Sequence, residues 1–62
     1  MRKFRKALDE LIAVNPEGND FLCSPIFKKY AATLNYKYKG FSIVCSEHVP
    51  KDGIYFVKYN YE

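Results

Sequence analysis

The sequence predicts an α+β domain, with two N-terminal amphipathic helices packed on one face of a C-terminal antiparallel β-hairpin. Three observations predict it. Apolar residues recur with a helical period as far as Asn35. From Tyr36 the period changes to that of a strand. The turn-forming "VPKDG" then divides the second region into two halves. On this reading residues 1–62 form a single small domain, with helices over ~3–14 and ~25–35 and strands over ~36–47 and ~54–61.

The first helix reads from Arg2 to Val14. Phe4, Leu8, Leu11 and Ile12 form its apolar stripe, with Ala7 and Val14 on the flanks. Asn15-Pro16 ends it, because a residue before proline is pushed out of helical geometry. Ser24-Pro25 starts the second helix, with serine as N-cap and proline at the first helical position. Its apolar face is Ile26, Phe27, Tyr30, Ala31 and Leu34, and Asn35 suits its C-cap. Phe21–Cys23, just before it, reads as a buried connector able to add a short third strand at 21–23.

The hairpin register follows from the faces. Pairing Phe41 with Tyr61, Ile43 with Tyr59, Cys45 with Val57 and Glu47 with Tyr55 gives one apolar face. Ser42, Val44 and Ser46 then share the outer face with Asn60, Lys58 and Phe56. Tyr36 and Tyr38 are out of phase with Phe41, Ile43 and Cys45. A β-bulge at Gly40 would return all five to one face. In "VPKDG", Pro50 suits the first corner and Gly53 a left-handed position.

Composition narrows the function classes. The chain has 62 residues, 18% of them aromatic, and a net charge of +3. Aromatic packing substitutes for the missing length. A domain this small has little room for a shaped, water-excluding pocket, so no enzyme is expected. The basic start is interrupted by Asp9 and Glu10, and no apolar run approaches membrane-spanning length. A cytoplasmic protein is therefore expected. Cys23 and Cys45 are expected as reduced thiols rather than as a disulfide.

Cys45-x-x-His48 has a metal-like spacing. With Cys23 as the remaining thiol the set falls short of four tetrahedral ligands, so no metal is expected. No glycine-rich phosphate loop or paired catalytic carboxylates suggest a cofactor or a reaction.

"KGFSIV", Lys39 to Val44, partly resembles the RNP1 signature of RNA-recognition motifs and cold-shock domains. Lys39, Gly40, Phe41 and Val44 match, while Ser42, Ile43 and Ser46 depart from it. The resemblance implies base stacking on an exposed Phe41. The apolar period instead places Phe41 on the core face, beneath helices that must bury their stripes. Helix–helix–hairpin order also resembles a winged helix one helix short.

The expected function is that of a small non-enzymatic binding protein, a regulator or inhibitor acting by protein–protein contact on a larger protein. Its size, and its wealth of the residues that AT-rich codons encode, suit an accessory protein of a phage or mobile element. The expected contact residues are Arg2, Lys3, Arg5 and Lys6 on the first helix, with Phe56 and Lys58 on the outer sheet face. Four cations in the first turns oppose the helix dipole, offset in part by Arg5–Asp9 and Lys6–Glu10 at i,i+4. The alternative is nucleic-acid binding that adds Lys28, Lys29, Lys37 and Lys39. No membrane partner is expected. A homodimer could form through a sheet edge or the outer sheet face.

Overall fold

A computed structural model describes residues 2–58. The element order is α1 (Arg2–Val14), β1 (Asp20–Cys23), a 3-10 turn (Pro25–Phe27), α2 (Lys28–Thr33), β2 (Lys37–Tyr38), β3 (Phe41–Cys45) and β4 (Ile54–Val57). The class is α+β, and the sheet is four-stranded and mixed, in the order β2-β3-β1-β4.

The expected hairpin is not there. β1 lies between the two segments that were to pair. It runs parallel to β3, with Phe21 opposite Ile43 and Cys23 opposite Cys45. It runs antiparallel to β4, with Phe21 opposite Phe56 and Leu22 opposite Tyr55. Val57 therefore faces Asp20 rather than Cys45. Tyr59, Asn60 and Tyr61, which completed the expected register, lie outside the described residues. Parallel pairing of β1 with β3 needs a crossover between them, and the segment containing α2 supplies it.

The faces change with the topology. Phe21 and Cys23 of β1, Ile43 of β3 and Phe56 of β4 join one core cluster with Phe4 and Leu8 of α1 and Ala31 of α2. Phe56, expected on the outer face, is only 5% exposed. Its ring stacks on Phe21 at 4.4 Å and meets Phe41 edge-on at 5.0 Å. Ile54 packs against the same cluster. The outer face instead carries the in-register row Val44–Leu22–Tyr55, in which Val44 and Tyr55 are exposed.

The helices follow local signals. α1 keeps its expected bounds, and Asn15 does more than stop it. Its side-chain Nδ2 donates to the Phe56 carbonyl at 2.8 Å, satisfying an acceptor on the edge strand β4. Ser24 caps the second helical segment by accepting from the Ile26 amide. That segment opens as a 3-10 turn, which leaves Ile26 half exposed instead of on the core face. Its end is a Schellman motif. The Tyr36 amide donates to the Ala31 carbonyl at 2.8 Å and the Asn35 amide to the Ala32 carbonyl at 3.0 Å. Asn35 takes the left-handed conformation this requires, at φ 58°.

The phase change at Gly40 is a turn, not a bulge. β2 and β3 pair antiparallel, with Tyr38 opposite Phe41 and Lys37 opposite Ser42. Lys39 and Gly40 connect them at φ 51° and 86°, the positive values that type I′ hairpin turns need. Nothing lies within 4 Å of a Cβ built on Gly40. Gly40→Ala therefore tests backbone strain alone, and should lower the urea midpoint by the equivalent of about 1–2 kcal/mol with an unchanged m-value.

The loop before β4 also departs from expectation. Pro50 opens a turn closed by the Gly53 amide on its carbonyl, and Asp52, not Gly53, takes the left-handed position at φ 65°. Gly53 is required by space, since a Cβ there would lie 2.9 Å from both the Pro50 carbonyl and a Val49 methyl.

Candidate functional site

α1 presents three faces. Phe4 and Leu8 enter the core. One flank carries Arg2, Arg5, Lys6 and Asp9, and the other Lys3, Ala7, Glu10 and Val14, as a period of 3.6 separates them.

The first flank meets the β2–β3 turn. Arg2, Arg5, Lys6 and Asp9 line a shallow cleft with Tyr38 of β2. The tight turn carries Tyr38 and Lys39 over to the helix. The Tyr38 hydroxyl donates to Asp9 Oδ1 at 2.9 Å, and Lys39 Nζ lies 2.8 Å from the same oxygen. Tyr38 is anchored below by edge contact with Phe21 at 6.5 Å.

This arrangement reassigns Asp9. The expected i,i+4 partner of Arg5 is held by Lys39 and Tyr38, and Arg5 acts on it only through space. Among the described residues, Arg2, Arg5 and Lys6 have no carboxylate within ion-pair distance. Three cations are thus left exposed on one face, close to a helix N-terminus that already disfavours them.

The hydrogen bond from Lys39, then that from Tyr38, lowers the Asp9 carboxyl from its ordinary 3.8. The bond to Asp9 raises Lys39 above its ordinary 10.5. Desolvation, then the bond to Asp9, raises Tyr38 above 10.0. The signs define a window. A lowered carboxyl contributes stability above pH 3.8 that is lost as the pH falls through its folded value. The raised lysine and phenol contribute below their ordinary values and lose this as the pH rises through their folded ones. Asp9→Asn should therefore flatten the acid limb of a stability–pH profile measured by denaturant unfolding, while leaving the fold intact at neutral pH. Asp9 and Lys39 are exposed, so salt should shrink the difference.

The other expected contact residues scatter. Lys3 is on the opposite flank of α1, beside Phe27 and Tyr30. Phe56 is in the core, and Lys58 is exposed just after β4. The lysines of the nucleic-acid alternative do not form one track. Lys28 lies near Cys45, at the far end of β3 from the turn holding Lys39. Lys37 is exposed on β2, and Lys39 is neutralised by Asp9. Phe41 is half-buried against Phe21 and Phe56, not presented for base stacking.

Cys23 and Cys45 are free thiols. Burial, with Cys45 nearby, pushes Cys23 up to about 12, and burial also raises Cys45. His48 is exposed in the loop. Among the described residues, no group of three or more His, Cys, Asp or Glu could hold a metal. No helix among them is long and apolar enough to cross a membrane. No protein family, curated protein or solved structure matches the chain.

Proposed function

We propose that the chain is a small non-enzymatic binding protein, a regulator or inhibitor that sets the Arg2/Arg5/Lys6 face of α1 against an acidic surface of a larger protein. The observation that supports this is the diversion of Asp9. Lys39 and Tyr38 occupy the carboxylate that would otherwise neutralise Arg5. The two guanidinium groups can engage carboxylates bidentately, and their spread over fewer than two helical turns suits a compact acidic patch. A phosphate backbone is better served by a long cationic track, and the remaining lysines do not continue this one.

The experiment compares wild type with an Arg2→Glu/Arg5→Glu/Lys6→Glu variant as baits in a lysate of the native host. A single host protein held by wild type, lost on the variant and released by moderate salt, is the expected result. Equal retention by both baits removes the cationic face from the account. Binding to single- or double-stranded oligonucleotides that weakens steeply with salt would establish the nucleic-acid reading instead.

A further inference from the structure

The second flank of α1 borders two clefts of about 380 Å³ each. Both are lined by Ala7 and Ile54, so they form one groove along the helix. At one end Phe4, Phe27 and Tyr30 make an aromatic cup beside Lys3, with ring centroids 5.4–6.4 Å apart. At the other end stand Val14, Glu10 and Asp52. Val14 is 77% exposed, so its own fold does not cover it.

We infer that two copies of the chain associate through this groove, with their α1 helices antiparallel about a twofold axis at Ala7. Lys3, Ala7, Glu10 and Val14 follow i, i+4, i+7, i+11, the spacing of a two-helix seam. This seam is separate from the stripe that enters the core. Its charge is polar along the helix, with Lys3 at one end and Glu10 and Asp52 at the other. Lys3 and Glu10 are separated by about 10 Å of helix rise, with Ala7 between them. A twofold axis at Ala7 places each lysine against Glu10 of the partner subunit. A C2 contact needs such a self-complementary patch.

Ala7 has no side chain beyond Cβ, so the helices can approach closely at the axis. The same rotation sets Val14 of each subunit about 4–5 Å of rise beyond Lys3 of the other, at the end of the groove. A second copy is the occupant because this chain holds both halves of the match. Lys3 at one end needs an acid, and Glu10 supplies one on the same flank at nearly the same distance from Ala7 on its other side. Arg2, Arg5 and Lys6 stay clear on the opposite flank, so the dimer would display two cationic faces.

Sedimentation velocity on the full chain over a concentration series tests this. Wild type should approach twice the 7.3 kDa chain mass as concentration rises. Lys3→Glu and Glu10→Lys should each weaken association at least ~10-fold, because each places like charges together twice across the axis. Both residues are exposed, and circular dichroism checks that the variants fold. An equimolar mixture of the two variants should recover the dimer, since each subunit then supplies the charge the other has lost. Wild type that stays monomeric to millimolar concentration overturns the inference. So does a dimer indifferent to both reversals, which would place the contact elsewhere, as on the Val44–Leu22–Tyr55 face. So does a mixture of folded, monomeric variants that remains monomeric.

Discussion

Phe56→Ala is expected to destabilise the domain by about 3–5 kcal/mol, enough to unfold a chain of this size. The ring is 5% exposed, stacks on Phe21 at 4.4 Å and packs edge-on against Phe41. Its removal strips one wall from the aromatic centre of the core. A domain of about 60 residues rarely holds more than 3–5 kcal/mol in reserve, so circular dichroism should show loss of structure without denaturant. Phe56→Leu keeps much of the volume and should fold with a lowered midpoint. A fully folded Phe56→Ala with near-wild-type stability would mean that Phe56 faces solvent, as an outer-face contact residue would.

Gly18→Ala should be the second most damaging single change, costing about 1–3 kcal/mol as an overpacking substitution. A Cβ on Gly18 would fall 2.5–2.9 Å from three atoms of the Phe56 ring. The ring is pinned between Phe21 and Phe41 and cannot swing away cheaply. The loop from Asn15 to Asn19 would have to move instead. That loop holds the edge of β4 through the Asn15 side chain and through the Asn19 amide on the Val57 carbonyl at 2.8 Å. Chemical denaturation should show a lower midpoint, and the amides of β4 should lose protection from hydrogen exchange. Unchanged β4 protection would show that the loop does not clamp this strand.

The two predictions sit where local pattern and tertiary pairing part company. α1 was legible to the residue, because its apolar period is strong and Asn15-Pro16 stops it sharply. The Ser24 cap was legible for the same reason, as a local chemical device. The inward set Phe41, Ile43 and Cys45 was also readable, since alternation alone defines it. β1 was not. "DFLC" is four residues long, has no alternation to count and sits between a loop and a helix start. Two longer alternating segments beyond it look like sequential partners, and sequential strands usually pair. Insertion of an earlier strand between them is a long-range choice that period cannot show.

The misplaced phase of β4 has a cause of its own. Over residues 54–61 the odd positions look more apolar, because Tyr59 and Tyr61 are counted. The strand itself is Ile54–Val57, where Ile54 and Phe56 turn inward. The cationic face was legible as a charge cluster on α1. Its chemistry was not, because whether Asp9 neutralises Arg5 depends on a turn thirty residues away in sequence. That turn was itself disguised, since lysine seldom occupies the left-handed first position that Lys39 takes.

β1 separates β3 from β4, and this strand order buries Phe56. Interstrand nuclear Overhauser effects between backbone protons test it most directly. Contacts are expected from Leu22 to both Val44 and Tyr55, and from Phe21 to both Ile43 and Phe56. Direct cross-peaks between the backbones of Cys45 and Val57, with none from Leu22 to Val44, would contradict it and restore the hairpin.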